Sequence, residues 1–235
     1  MNLFTSLYTA SAGAVAQQQG LDVTANNAAN VSTQGFRPDR ASFSDLVHTG
    51  VRAGEDAPKT GSGEKLAGTE TLYVPAGGLR QTGRKLDYAL TDGRQFFAVR
   101  TADGIRYTRS GSFAASAATN GRFYLTDAQG GLVLDRQGRT IEVTDEHPAR
   151  APGAFTFRNL DGLRKTGDNY FAPTALSGAA ATAPDAGLRQ GYLEDSGVDL
   201  ADVMADLIQQ ERAFQLNTRM VQMSDEVAQT VDNLR

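Results

Sequence analysis

The chain has 235 residues, of which 40% are apolar and 21% charged, and it contains neither cysteine nor tryptophan. Its 23 basic and 27 acidic residues give a net charge of −4, so nucleic-acid binding is not predicted. The lack of cysteine excludes disulfide scaffolds, thiolate metal sites and cysteine nucleophiles. No apolar run approaches the ~20 residues of a membrane span, so no membrane insertion is predicted. No cleaved secretory signal is predicted after Met1, because no Lys or Arg precedes Arg37.

The first segment, residues 1–36, has the periodicity of a long helix. Small or apolar residues recur at alternating spacings of four and three, in the series Leu3, Leu7, Ala10, Ala14, Gln17, Leu21, Thr24, Ala28 and Val31. This heptad seam predicts a helix that packs along another helix. Because the seam contains alanines and polar residues, it buries little area and the helix is predicted to be marginal alone.

Residues 37–71 are predicted to be an extended connecting loop, and residues 72–190 a central β domain. In the β domain, short runs of apolar and β-branched residues alternate with turn dipeptides. The runs Phe96–Val99 and Ile105–Thr108, separated by Asp103-Gly104, predict a β-hairpin. Further runs at similar spacing predict an antiparallel all-β domain.

The last segment, residues 191–235, repeats the helical pattern with larger side chains. Its seam consists of Leu200, Val203, Leu207, Gln210, Phe214, Asn217, Val221, Ser224, Ala228 and Val231. A second apolar stripe, formed by Met204, Ile208, Met220, Met223 and Val227, predicts contact with more than one neighbour. Ser196 followed by Asp199 resembles a capping box at the start of this helix. The predicted fold class is therefore α+β, with long terminal helices around an antiparallel β domain.

The sequence leaves two partners open for the terminal helices. They could pack against each other in one chain as an antiparallel pair, or between chains as a coiled-coil layer of an assembly. Polar seam residues such as Gln17, Gln210 and Asn217 can specify register and partner number, which favours assembly. On that view, residues 1–31 and 199–235 are predicted to be largely disordered in the monomer.

Candidate sites for chemistry are weak, and we expect no enzyme, metal or cofactor. Ser62 and Lys65 have an S-x-x-K spacing but lack its companion motifs. The cluster Asp145-Glu146-His147 is interpreted as a polar turn. Arg106 and Arg109 flank Tyr107 and are interpreted as the solvated side of a strand. Two alternatives remain open: a secreted β-domain binding module that uses the Tyr107/Arg109 hairpin face, and a peptidoglycan-cleaving enzyme.

Three blocks of the sequence match one family pattern in the expected order. The first is Ala25-Asn26-Asn27-Ala28-Ala29-Asn30-Val31-Ser32-Thr33-Gln34-Gly35-Phe36, after a small-residue helix. The second comprises Gly78–Gly83, Phe96-Phe97 and Tyr107–Phe113, and the third comprises Gln190–Leu200 and Glu211–Phe214. Together they resemble the bacterial flagellar basal-body rod and hook proteins, and Gln190–Glu194 is most like the distal-rod branch of this axial family.

The resemblance implies a structural subunit of the flagellar basal body that is exported without a cleaved signal. Such subunits form a hollow helical homopolymer through their terminal helices, with other rod and hook proteins, basal-body ring proteins and the export apparatus as partners. A proximal-rod or hook-type paralogue is the alternative within the family. The implied assembly interface consists of Leu3, Leu7, Leu21, Asn26, Asn27, Asn30, Gly35, Phe36, Leu200, Val203, Leu207, Phe214, Asn217 and Val221. In it, Gly35 would form a turn with positive φ and Phe36 would anchor on the next layer.

Overall fold

The computed structural model of the protein describes residues 3–46, 48–50, 59–61, 63–73, 77–118, 121–144, 147–183 and 187–233. The long helices are α1 (Leu3–Ala29) and α2 (Leu200–Asn233). Between them lie the strands β1 (Asp39–Asp45), β2 (His48–Gly50), β3 (Lys59–Gly61), β4 (Glu64–Thr71), β5 (Leu79–Gln81), β6 (Tyr88–Leu90), β7 (Gln95–Thr101), β8 (Gly104–Thr108), β9 (Ala114–Ala117), β10 (Phe123–Thr126), β11 (Leu132–Val133), β12 (Glu142–Thr144), β13 (His147–Pro148), β14 (Ala154–Thr156), β15 (Arg164–Lys165), β16 (Tyr170–Ala172), β17 (Ala181–Thr182), β18 (Leu188–Gln190) and β19 (Tyr192–Glu194). The α+β class is confirmed.

The chain forms two compact units. The helical unit comprises Met1–Ala29, Asp39–Glu70 and Asp199–Arg235, and the β unit comprises Asn30–Pro38 and Thr71–Val198. Residues 37–71, expected as an extended loop, instead include β1 and β4, which pair with each other. The segment 191–235, expected as helix, begins with β19.

In the helical unit, α1 and α2 pack against each other within one chain. A Cβ atom placed on Gly13 would lie 3.0 Å from Asn217 Nδ2, and one on Gly20 would lie 3.7 Å from Gln210 Cδ. Later residues of α1 thus face earlier residues of α2, so the two helices are antiparallel. The intramolecular arrangement that the sequence left open is therefore present, and it removes the basis for expecting both segments to be disordered in the monomer.

The start of α2 is capped by Asp199 rather than by Ser196. Asp199 Oδ1 accepts hydrogen bonds from the backbone N–H groups of Ala201 at 2.8 Å and Asp202 at 3.4 Å. Ser196 Oγ instead accepts one from the Val198 N–H, before the helix begins. Asp199 thus takes the capping role, because its carboxylate satisfies two early helix donors and favours the positive end of the helix dipole.

The β unit is built around a large antiparallel sheet with the strand order β13-β12-β10-β11-β7-β8-β16-β15. The predicted hairpin is confirmed, since β7 pairs with β8 from Phe97↔Thr108 to Thr101↔Gly104. Alternate residues of β7 contribute to two hydrophobic cores: Phe97 and Val99 to one, Phe96 and Ala98 to the other. Burial on both faces explains why β7 is a continuous apolar run instead of an alternating one.

Two short strand pairs join the end of the β unit to its beginning. β18 pairs with β6, and β19 pairs with β5 in the register Tyr192↔Gln81 to Glu194↔Leu79. The β5–β19 pair fixes the position of Glu194, which is the last residue of the last strand. Its side chain points into the protein and is 1% exposed.

Candidate assembly surface

The α2 seam predicted for an interface between chains lies against α1 of the same chain. Val203 and Ser224 are buried, and the seam residues between them are half-buried. These half-buried residues are Leu207, Gln210, Phe214, Asn217 and Val221. The seam therefore holds the helix pair together within the subunit, because a single apolar stripe on a helix is buried by the first helix that packs on it.

The buried line of α1 keeps Ala10 and Thr24 of the predicted seam but otherwise runs along neighbouring, smaller residues. It contains Ala10, Gly13, Ala16, Gly20, Thr24 and Asn27. Gly13 and Gly20 lie so close to neighbouring side chains that a Cβ would come within 3.0 Å of Asn217 Nδ2 and 2.9 Å of Phe43 Cζ. Close approach at glycine thus determines the contact line. The predicted Leu7 and Leu21 are half-buried beside it, and the side chain of Leu3 lies outside the described part of the structure.

Two asparagines at the end of α1, Asn27 and Asn30, form hydrogen bonds within the chain. Asn27 Nδ2 donates to the Asp39 carbonyl at 2.7 Å, and its Oδ1 accepts from the Asp39 N–H at 2.9 Å. Asn30 Oδ1 accepts from the Thr33 hydroxyl at 3.1 Å. Asn27 is buried and Asn26 is exposed. Of the three asparagines predicted for the interface, Asn27 is therefore committed to holding β1 on α1.

Large apolar side chains remain exposed on the helices, and we call this set the outer apolar residues. On α2 they form two groups, Leu200, Met204 and Ile208 in the first half and Leu216, Met220, Met223 and Val227 in the second. These side chains are between 46% and 62% exposed. On α1, Tyr8 and Val15 belong to the set. Contiguous exposed apolar residues of this kind mark interaction surfaces, while single ones do not.

The turn after α1 belongs to the β unit and is buried there. Gly35 has φ +63°, and a Cβ on it would lie 2.7 Å from the Arg109 carbonyl carbon. The predicted positive-φ turn is thus present. Phe36 is 7% exposed, with Lys165 Nζ 4.8 Å from the centre of its ring. Phe36, expected to anchor on the next layer of the assembly, is instead packed into its own chain.

Arg37, the residue after Phe36, belongs to a buried ion cluster. In this cluster the Glu194 carboxylate contacts two guanidinium groups. Glu194 Oε1 lies 2.7 Å from Arg37 Nη2, and Glu194 Oε2 accepts from Arg109 Nε at 2.8 Å and from Arg109 Nη2. All three side chains are at most 1% exposed. Burial lowers the pKa of Arg37 to about 10 and lowers that of Arg109, while the Glu194 carboxylate opposes both shifts.

Sequence reasoning missed this cluster. Arg109 was expected on the solvated side of a strand, and that expectation is wrong, because the residue is 1% exposed. Arg106 is half-buried and Tyr107 is buried. Buried charges carry no periodic signal, and Arg37, Arg109 and Glu194 lie far apart in the sequence, so nothing in the pattern predicted the cluster.

The candidate chemical sites gain no support from the described residues. Ser62, Asp145 and Glu146 lie outside them, and Lys65 and His147 are exposed. Within the described ranges, no group of three His, Asp or Glu side chains is arranged to hold a metal ion. Over its described length, neither helix is apolar enough to cross a bilayer.

Comparison with known proteins identifies the family. Residues 7–37 match the family described as flagella basal body rod protein, and residues 189–234 match the flagellar basal body rod FlgEFG protein C-terminal family. The chain is 32% identical over 265 residues to the flagellar basal-body rod protein FlgG of Bacillus subtilis, covering 99% of this chain and 100% of that protein. It is 34% identical over 259 residues to FlgG of Agrobacterium fabrum, with 96% and 97% covered. It is 28% identical over 271 residues to the flagellar hook-basal body complex protein FlhP of Bacillus subtilis, with 99% and 100% covered. The chain therefore belongs to the flagellar basal-body rod protein family, a family of structural proteins of the bacterial flagellum.

Proposed function

We propose that the protein is a rod subunit that polymerises through the outer apolar residues of its helix pair into the hollow axial tube of the flagellar basal body. The tube transmits torque and passes exported subunits. The antiparallel α1–α2 pair forms the wall-building part, and contacts between pairs of different subunits form the coiled-coil layer expected from the sequence.

The exposure of the outer apolar residues carries this proposal. Full burial of a large apolar side chain contributes about 1.5–3 kcal/mol, and these side chains are about half exposed, so several of them must be buried together to stabilise a subunit contact. The part of the α2 seam between Val203 and Ser224 is a weaker candidate, since α1 already covers much of it. The assembly interface is thus assigned to the side chains that the helix pair leaves uncovered, and Leu200 is the member of the predicted set that remains in it.

Two groups of outer residues on one helix suit a helical polymer. In a polymer without closed symmetry, each subunit presents two different surfaces to its neighbours. The first-half group around Met204 and the second-half group around Met220 are separated along α2 and provide two such surfaces. This supports the expectation that α2 contacts more than one neighbour.

The position in the rod is proposed from the relatives. Whole-length similarity to FlgG proteins favours a distal-rod subunit, and similarity to FlhP keeps a paralogue of the hook-basal body complex as the second candidate. Other rod and hook proteins, basal-body ring proteins and the export apparatus are the proposed partners. Microscopy of basal bodies from a strain that lacks the protein distinguishes the two positions by where axial assembly stops.

The two rival functions, a binding module and a cell-wall-cleaving enzyme, would each need particular side chains in a particular place. A binding module that uses the Tyr107/Arg109 hairpin face would need these side chains at the surface, whereas both are buried. A cell-wall-cleaving enzyme would need a paired-carboxylate site. The proposed function is that of a structural subunit, and we expect no turnover on purified cell wall.

The test compares two single variants. One introduces a charge at an outer apolar position, and the other introduces the same charge at the polar position next to it. Ile208→Asp and Gln209→Asp each add one negative charge at adjacent exposed positions of α2. We expect Ile208→Asp to abolish polymers in sedimentation and electron microscopy, and to abolish motility, with an unchanged thermal melt of the monomer. Gln209→Asp should retain polymerisation. Equal polymerisation of the two variants would show that this face of α2 is not the interface.

A further inference from the structure

Three distant parts of the chain meet at the buried ion cluster of the β unit. Arg37 lies in the segment 30–38 that follows α1, Arg109 follows β8, and Glu194 ends β19 shortly before α2 begins. Both oxygens of the Glu194 carboxylate are used: Oε1 also accepts a hydrogen bond from the Gly77 N–H at 3.2 Å. The cluster therefore depends on one carboxylate that connects both ends of the chain.

The charges in the cluster do not balance without Glu194. Arg109 donates its remaining N–H groups to the carbonyls of Leu90, Asp92 and Gln95. Carbonyls satisfy the hydrogen bonds of a guanidinium but do not neutralise its charge. Loss of the Glu194 carboxylate would leave two guanidinium groups buried side by side, which is far costlier than loss of an exposed ion pair.

Backbone hydrogen bonds attach the connecting segments to one another at the same place. The Gly35 N–H donates to the Glu194 carbonyl at 2.9 Å, the Gly197 N–H to the Phe36 carbonyl at 3.0 Å, and the Leu72 N–H to the Pro38 carbonyl at 2.9 Å. These residues lie in the short stretches next to the points where the chain passes between the β unit and the helical unit. The ion cluster and these bonds together fix where the chain leaves the β unit.

We propose that Glu194, held between Arg37 and Arg109, is a positioning residue that locks the segments 30–38 and 194–198 together on the β unit and so gives every subunit the same exit points toward its helices. The proposal rests on the proposed function, because a polymer that repeats one contact requires identical subunits. The cluster is buried, so its proposed role is to order the connecting segments. The outer apolar residues, by contrast, are proposed to contact other subunits. The effect of the cluster should be seen first in the local order of the connecting segments.

Amide hydrogen exchange of the full-length monomer tests the lock directly. Glu194→Gln keeps the side-chain shape and removes the charge, and Asp195→Asn is the matched control because Asp195 forms an exposed ion pair with Arg80 at 3.0 Å. We expect the Gly35 and Gly197 amides to exchange roughly a hundredfold faster in Glu194→Gln, with the amides of the β7–β8 hairpin still protected. Asp195→Asn should leave both amides unchanged. Unchanged protection of Gly35 and Gly197 in Glu194→Gln would overturn the lock.

A second variant keeps the test decisive if Glu194→Gln fails to fold. Arg37→Gln retains the Arg109–Glu194 pair and should accelerate exchange at Gly35 and Gly197 alone. Motility then tests the link to assembly: faster exchange together with normal rods would overturn the positioning role while leaving the rod function intact. Normal polymers of Ile208→Asp, by contrast, would count against the proposed function and not against the lock.

Discussion

Asn27 binds both backbone polar groups of Asp39 with its side-chain amide, as a neighbouring β-strand would do. Its Nδ2 donates at 2.7 Å and its Oδ1 accepts at 2.9 Å. The end of α1 is thereby connected to the first residue of β1, across the turn between them. An aspartate could not replace this residue, because a carboxylate cannot donate the bond to the Asp39 carbonyl.

Asn27→Ala is therefore expected to destabilise the helical unit. Two hydrogen bonds between the buried Asn27 side chain and the backbone of half-buried Asp39 are lost, and the free energy of unfolding should fall by about 1–3 kcal/mol. Thermal unfolding of the monomer followed at a helical circular-dichroism wavelength measures the change. Gln18→Ala, at an exposed position of α1, should be close to neutral. An unaltered melt of Asn27→Ala would show that β1 is held by other contacts.

Phe214→Asp should unfold the helix pair of the monomer instead of acting only on polymerisation. Phe214 faces α1 in the α2 seam and is half-buried, so a carboxylate there meets an apolar interface within the chain. Loss of about 2–4 kcal/mol is expected, since the ring is not fully enclosed. Asp225→Asn, at an exposed position, is the control. A monomer of Phe214→Asp with normal helicity that fails to polymerise would restore the seam as an interface between chains.

A comparison of Gly35→Ala with Gly83→Ala separates two costs in stability: that of a positive φ at alanine and that of a Cβ atom in a closely packed place. Both glycines have positive φ, +63° and +72°, but only Gly35 lies against backbone atoms, whereas nothing lies within 4 Å of a Cβ on Gly83. Gly83→Ala should cost about 1 kcal/mol for the left-handed conformation alone. Gly35→Ala should cost several times more and lower the unfolding temperature of the β unit by correspondingly more. Similar unfolding temperatures for the two variants would refute the close approach of Gly35 to Arg109.

The protein should lose stability at alkaline pH through buried tyrosines. Burial raises the pKa of Tyr88, Tyr107 and Tyr170 above the ordinary value of 10.0, and for Tyr170 the hydrogen bond to Asp127 adds to the effect. The folded chain then holds these protons more tightly than the unfolded chain, so the free energy of unfolding falls as the pH rises above about 10.

Denaturant titrations between neutral and alkaline pH measure this slope. Tyr170→Phe should be less stable at neutral pH, because it loses the bond to Asp127, and should show a shallower alkaline decline. Tyr8→Phe, at an exposed position of α1, should retain the decline of the unsubstituted protein. If the free energy of unfolding of Tyr170→Phe fell as steeply with pH as that of the unsubstituted protein, Tyr170 would not be a source of the alkaline decline.

Periodicity predicted the elements whose sequence pattern is long or strongly apolar. The heptads predicted α1 and α2, and the run Phe96–Val99 with its turn predicted the β7–β8 hairpin. The contact line of α1 was predicted only in part, because the seam search passed over glycine, yet Gly13 and Gly20 lie against neighbouring side chains. Similarly, β1 and β4 were missed because most of their side chains are exposed, so they lack an apolar signal.

The two apolar stripes of α2 could be predicted from its sequence, but not which of them stays exposed. Two apolar stripes on α2 were recognised, but which stripe faces α1 depends on the partner helix and not on α2 alone. The stronger seam containing Phe214 packs within the subunit, and the second stripe containing Met204 and Ile208 is exposed. The Arg37–Glu194–Arg109 cluster joins residues far apart in the sequence, and only the folded chain brings them together.

Three of the chain's four methionines, Met204, Met220 and Met223, are among the outer apolar residues. Thioether side chains adapt to irregular surfaces, which suits the proposed contacts between subunits. Oxidation would convert them to polar sulfoxides and remove the apolar surface from the helix. On the proposed function, an unassembled subunit is open to oxidative inactivation at all three sulfurs, whereas neighbouring subunits would shield them in the rod, so oxidative damage would fall on flagellar growth and spare flagella already built.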